Sequence, residues 1–453
     1  MTILSSPTGG LDPGRRRMIR RATTAGGLGT LIEYFDFGIY AFVAVYIAPQ
    51  FFPGDDPLVG LLLTFGVFAS SYLVRPLGGW FFGRLGDRAG RRRALVLTVV
   101  TMGSASALIG FLPSYATLGT TASVLLLLAR MVQGFCAGGE SAGAAAYIAE
   151  SAPDGRRGFY TSAMAMGSVG GFSAAAAVCG LASSLVSPDQ MASWGWRIPF
   201  LAVVPLTLLC LVYRLKIEET PEFKAIPKSE IVRSPMREVV TRHPVKVVQV
   251  FLLTVAMTGT GNVAVSYFGT YLIKNRGLGS EPVYWMIAIA IALAVLTYPM
   301  VGLLSDKLGR KRVIITGYAG FLVLAYPVLL ILDKATNIVA LGAAFTVFML
   351  VHAWTIVPGY VFYAEMMPRN VRYTGTALGS NLAFIVTGFA PLVITRLIDS
   401  THTITSLTWW FLGIMVVGLA AITFVKETAL KPLQAESDRE ESQLRPAGDS
   451  LLG

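Results

Sequence analysis

Gly83-Arg84-Leu85-Gly86-Asp87-Arg88-Ala89-Gly90-Arg91-Arg92-Arg93 returns 219 residues later as Gly302-Leu303-Leu304-Ser305-Asp306-Lys307-Leu308-Gly309-Arg310-Lys311-Arg312, identical at six of eleven positions. Each copy follows an apolar run of roughly twenty residues, the length a helix needs to cross a bilayer. A second match lies farther along: Glu150, Pro153 and Arg157 recur as Glu365, Pro368 and Arg372, 215 residues on. Two matched pairs at equivalent places mark an internal duplication. In membrane proteins built this way, a site lies between two halves that rock against each other.

The 453-residue chain is 54% hydrophobic and 14% charged, with a mean hydropathy of +0.62. Soluble proteins carry about 25% charged residues, so a soluble enzyme and a disordered scaffold are excluded. Apolar runs between charge clusters give twelve spans, near 24–49, 58–82, 94–112, 121–147, 159–186, 197–213, 247–273, 283–304, 313–332, 337–363, 374–398 and 404–425. They are expected to be helices, because an open sheet edge leaves backbone groups unpaired in lipid. The expected fold class is an all-α membrane protein, with twelve transmembrane helices in two pseudo-symmetric six-helix bundles.

If both termini lie on one side, the loops of that side hold 30 of the 37 Lys and Arg residues. The positive-inside rule makes that side cytoplasmic. Arg15, Arg16, Arg17, Arg20 and Arg21 precede span one, and further clusters follow spans two and eight. The net charge of +11 is thus a topology signal, and no nucleic-acid partner is expected. The chain divides into an N-terminal arm (1–21), a first bundle (22–213), a cytoplasmic linker (214–246), a second bundle (247–425) and a polar tail (426–453). The tail has no sustained apolar heptad and reads as largely disordered. The first apolar run is long and carries acids, so no cleavable signal is expected. Cys136, Cys179 and Cys210 lie in apolar runs without CxxC spacing or a His partner. No disulfide, metal or cofactor follows from them.

The repeated G-x-x-x-D-[RK]-x-G-[RK]-[RK]-[RK] loop resembles the signature of the Major Facilitator Superfamily. Arg130-Met131-Val132-Gln133-Gly134 resembles its R-x-x-Q-G element. A narrower resemblance is to the metabolite:proton symporter family. It rests on Glu33-Tyr34-Phe35-Asp36-Phe37, Arg75-Pro76-Leu77-Gly78-Gly79, Gly138-Gly139-Glu140, Trp194-Gly195-Trp196-Arg197-Ile198-Pro199-Phe200 and Glu218-Glu219-Thr220-Pro221. That family imports citrate, 2-oxoglutarate, shikimate, dicarboxylates, proline and glycine betaine. Phe52-Pro53-Gly54 and Ala152-Pro153-Asp154-Gly155-Arg156-Arg157-Gly158-Phe159 look most like its proline/betaine branch. The resemblance implies proton-coupled import of a small carboxylate or zwitterion across the plasma membrane. The expected partners are that solute, a proton and the lipid bilayer, with the chain acting as a monomer.

A charge at the bilayer centre costs about 2.5–3.5 kcal/mol on insertion scales, so each one is a functional candidate. Glu33, Asp36, Arg75, Arg130 and Glu140 all fall in the first half. The second half offers His352 and the neutral Asn262, Asn381 and Tyr267. Glu33 and Asp36 sit at i, i+3 on one helix. Two close carboxylates in low dielectric do not both ionise easily, so one is poised to carry a proton. Asp36 is the first candidate for proton coupling, with Glu33 and Glu140 behind it; the alternative is that the acids only hold helices together. Arg130 stays charged and needs an anion, which is Glu33, Asp36, Glu140 or a substrate carboxylate. Arg75 either reaches the headgroups or grips a substrate carboxylate. Tyr34, Gln133 and His352 complete the expected substrate-binding set, although a lone His between apolar neighbours is more often a packing residue.

Asp87 with Arg91, and Asp306 with Arg310, are spaced to pair across a tight glycine turn. By resemblance they form gates that lock the outward-facing state. Glu150 with Arg157, and Glu365 with Arg372, are expected to complete the same cytoplasmic network. Tyr34, Phe35, Tyr40, Trp354 and Tyr360 offer aromatic faces to a quaternary ammonium, or simply pack. Span five carries Gly167, Gly170 and Gly171 but no proline. The superfamily's drug antiporters typically carry a Gly-Pro element there, so import by symport is favoured. An exchanger or uniporter, or a transport-dead sensor, is the alternative. No nucleophile–base constellation suggests an enzyme.

Overall fold

The computed structural model describes residues 13–89, 91–215, 235–368 and 371–429. Every regular element in them is helical. Ten helices are long and apolar enough to cross a membrane. A bent pair, Ile19–Phe42 with Ala44–Phe51, and the shorter apolar Val96–Phe111 stand at the other two positions read from the sequence. The helix of the third span runs Arg91–Phe111 and opens with three arginines. The sixth, Arg197–Leu215, runs past the expected end of the first bundle and takes Arg214 into its last turn. The Glu218-Glu219-Thr220-Pro221 motif lies outside the described residues.

Small residues set how closely the helices approach. Gly134 and Gly138, one turn apart on span four, face span two: a Cβ on either would run into the carbonyl oxygen of Ser71 or Arg75. Glycines play the same part on span five, where Gly167 and Gly171 lie against the backbone of span one at Gly27 and Leu31. In a membrane, such seams let backbones approach where no hydrophobic force separates helix from lipid.

Two first-half helices break, and side chains of the second half take up freed carbonyls. Span one turns by 63° between its two pieces. At that break the Tyr46 N–H bonds the Val43 carbonyl, and the Phe42 carbonyl accepts the Tyr284 hydroxyl of span eight at 2.7 Å. Span four breaks between Thr120–Ala137 and Ser141–Ser151. Gly138 O there accepts Asn381 Nδ2 at 3.1 Å, and Gly139 O accepts the Tyr373 hydroxyl at 2.7 Å. Irregular backbone at membrane depth is tolerated where protein re-satisfies it in this way.

Replacing Gly134 with Ala should therefore push spans two and four apart and cost about 1–3 kcal/mol by overpacking. Gly170 is the control, because a methyl group added there would meet nothing within 4 Å. A thermal melt of the detergent-solubilised protein should show a lower midpoint for Gly134→Ala and no loss for Gly170→Ala. Equal midpoints would contradict the close approach.

Candidate functional site

Together with Arg214, the five central charges form three pairs, each joining different helices. Glu33 of span one pairs with Arg75 of span two, both fully buried. Asp36, one turn on, faces Arg130 of span four, with its Oδ2 3.8 Å from Arg130 Nη1. Glu140 pairs with Arg214 of span six. The i, i+3 acids of span one are thus held by separate arginines. Arg75 does not snorkel in this arrangement, and Glu140 takes Arg214 rather than Arg130. Arg214 was missed because the sequence places it in the polar linker; its signal, a basic residue in a helix's last turn, equally suits a solvated end.

The Asp36–Arg130 pair is the least satisfied of the three. Neither Asp36 oxygen has a hydrogen-bond partner, and Arg130 Nε and Nη2 also lack one. Arg130 Nη1 instead donates to Gln133 Oε1 at 2.7 Å, and Gln133 Nε2 donates to Ser106 Oγ of span three at 2.7 Å. Aromatic faces surround the guanidinium, with Tyr40 at 4.4 Å, Phe37 at 4.9 Å and Phe68 at 5.5 Å from its carbon. Arg75 lies 4.7 Å from Phe384, 4.9 Å from Phe37 and 5.0 Å from Tyr72. Tyr40 and other aromatic rings at the centre are therefore covered by the protein's own cations.

Beside this layer, between the halves, is a cavity of about 20 Å³ lined by residues that include Tyr34, Ser168, Asn262, His352 and Tyr360. That volume admits about one water. His352 Nδ1 lies 3.4 Å from Thr260 Oγ1 and 3.5 Å from Thr355 Oγ1, so its ring nitrogen has polar neighbours within its own half. Tyr34 and Tyr360 approach each other from opposite halves, within electrostatic reach of Glu33 and Arg75.

At the end bearing the basic loops the halves are stitched together by ion pairs. Asp306 accepts the backbone N–H groups of Gly158 at 2.8 Å and Phe159 at 2.9 Å, and pairs with Arg310 at 2.7 Å. Glu150, Arg157, Glu365 and Arg372 lie in this network, and their ion pairs cross between the halves. Arg157 pairs with Glu365 at 3.1 Å, and Arg372 with Glu150 at 2.9 Å. Equal spacing in a duplicated sequence does not distinguish a partner in the same half from its copy. The side chains of Asp87 and Arg91 lie outside the described residues.

The first residues of the expected tail belong to this network, which corrects their reading as disordered. Glu427 accepts the N–H groups of Arg310 and Lys311 and caps the helix that starts after Gly309, whose φ is 99°. Thr428 donates to Glu365 Oε2 at 2.5 Å. Burial opposes the Glu427 charge, but the N–H groups of Ala429, Arg310, Lys311 and Thr428 hold its carboxyl below the usual carboxylate range. Its contribution is therefore complete above that range and lost as pH falls through the lowered value.

With the geometry in place, the class is clear. The chain belongs to the Major Facilitator Superfamily, whose family model matches residues 26–391 and 250–452; it is a multi-pass membrane transporter, not an enzyme. It is 36% identical over 448 residues to the proline/betaine transporter of Salmonella typhimurium, covering 96% of this chain and 89% of that one. It is also 36% identical over 449 residues to the glycine betaine/proline/ectoine/pipecolic acid transporter OusA of Dickeya dadantii, covering 96% and 88%. The fold is similar to that of the proton:xylose symporter XylE bound to 6-bromo-6-deoxy-D-glucose, with a TM-score of 0.74 at 19% identity over 93% of this chain and 98% of that one.

The crossed pairs give a direct test. Glu150→Arg or Arg372→Glu alone should lower transport roughly tenfold, the equivalent of about 1.4 kcal/mol. The double exchange should restore most of it, measured by solute counterflow in liposomes. A double variant no better than the singles would contradict a direct contact.

Proposed function

We propose that the chain is a proton-coupled symporter that imports a proline/betaine-type zwitterion or a small carboxylate across the inner (plasma) membrane by alternating access. The basic loops and both termini face the cytoplasm, the two six-helix halves are joined by the segment that follows Leu215, and the working unit is a monomer in the bilayer. The observation that carries this reading is the Asp36–Arg130 contact, in which both groups are buried and both retain unused hydrogen-bonding capacity. The substrate names come from the relatives at 36% identity.

Asp36 exists either as the charged partner of Arg130 or as a neutral acid, and the Arg130 site differs between the two. When Asp36 takes a proton from the outer side, Arg130 loses its counter-charge and its free Nη2 and Nε present a fork to a solute carboxylate. Carboxylate binding replaces the lost charge, so proton and solute favour each other. Gln133 holds Arg130 in orientation. Arg75, Tyr34 and His352 line the remainder of the solute's surroundings, and Glu33 and Glu140 are the further acids on the way to the cytoplasm. The central cavity is too small for any of these solutes, so entry requires the halves to part at one end. Asp306, Arg310, Glu150, Arg157, Glu365 and Arg372, with Asp87 and Arg91 by sequence, act as the cytoplasmic gate.

The test is uptake by purified protein in liposomes with an acid exterior, using labelled proline, glycine betaine, 2-oxoglutarate, citrate and shikimate, with and without a protonophore. Accumulation of one solute that collapses with the protonophore is expected; equilibration indifferent to the gradient would overturn proton coupling. Asp36→Asn should lose accumulation yet retain counterflow. Arg130→Lys keeps the charge but not the planar fork and should lower uptake by roughly tenfold or more. Normal accumulation in Asp36→Asn would remove Asp36 from the coupling role, and near-normal uptake in Arg130→Lys would contradict a two-point contact.

A further inference from the structure

Symport requires the second half to respond to charges held by the first. Among the described residues, the buried charges of the second half, Asp306, Arg310, Glu365 and Arg372, belong to the gate at the basic end, which leaves a neutral group to report the state of the centre. Arg75 of span two makes such a crossing contact: its guanidinium carbon lies 4.7 Å from the Phe384 ring centroid of span eleven. Tyr72, a turn earlier on span two, stands 6.3 Å from the same ring and packs against Gly388. Around the guanidinium are Glu33 and Tyr34 from span one, Tyr72 from its own span, Arg130 from span four and Tyr360 from span ten.

We propose that Phe384 is the positioning residue through which the second half senses the Glu33–Arg75 pair. While Glu33 is charged, it fixes the guanidinium against the face of Phe384, and the cation–π attraction draws spans two and eleven together. When Glu33 takes the proton passed inward from the outer side, Arg75 is no longer held in that orientation by a counter-charge, and its contact with Phe384 slackens. Span eleven is then released to move with its half. Glu33 returns the proton to the cytoplasm as the contact re-forms. This inference rests on the proton-coupling reading and gives it a route to the moving half.

Two readouts in liposomes test it: accumulation driven by an acid exterior, and counterflow of the same solute at equal pH. Phe384→Tyr should retain both. Phe384→Leu should keep counterflow within about twofold of the parent while accumulation falls roughly fivefold. Trifluorination of the Phe384 ring, which preserves shape and weakens the face charge, should act in the same direction and guards against a folding defect in the leucine variant. Unchanged accumulation in the fluorinated protein would overturn the proposal, as would equal losses in both readouts. Absence of acid-driven accumulation in the parent would instead defeat the proton-coupling reading itself, an outcome visible before any variant is made.

Discussion

Asp36 and Arg130 face each other at 3.8 Å inside the first half with no exposed surface on either side chain. Breaking a buried pair by removing one partner costs roughly 3–5 kcal/mol, because it strands a charge. That constraint governs the rest of the centre. Glu33 needs Arg75, Glu140 needs Arg214, and the aromatic rings that lie over Arg75 and Arg130 shield cations that lipid would not tolerate. The central acids therefore cannot change charge without changing what an arginine touches. In the proposed cycle that arginine is offered to a carboxylate in one direction and withdrawn in the other.

Polar contacts recur where the two halves meet. Broken helices in the first half leave carbonyls that Tyr284, Asn381 and Tyr373 of the second half take as partners. Exchanged ion pairs close the basic end. At the opposite end lighter contacts occur, such as Ser173 Oγ donating to Ala288 O at 2.7 Å and Ser184 Oγ to Glu281 Oε1 at 2.6 Å. Contacts of this kind can form and release as sets, which suits rigid halves that rock about a small central cavity.

The repeated loop and the runs of apolar residues made the fold legible, because bilayer thickness fixes helix length and desolvation makes every intramembrane charge conspicuous. The identity of the charged residues at the centre was legible for the same reason. Their partners were not. Spacing placed Glu33 and Asp36 on one helix but carried no information on which arginine each meets across the bundle. Arg214 looked like a linker residue until the last turn of span six carried it to Glu140. The exchange of Glu150 and Glu365 between halves is invisible in a duplicated sequence, since each copy offers the same arginine at the same distance. Glu427 and Thr428 read as tail because their bonds run to Arg310 and Glu365, more than sixty residues away.

Coupling of this kind depends on Asp36 changing its protonation as solute binds. Infrared difference spectroscopy of the protein in lipid, with and without saturating glycine betaine or proline, addresses that change at the carboxyl itself. A protonated-carboxyl stretch that changes on solute addition, shifts in heavy water and is absent from Asp36→Asn is the expected result. A spectrum with no solute-linked carboxyl band, or one that persists in Asp36→Asn, would contradict the central role given to this residue.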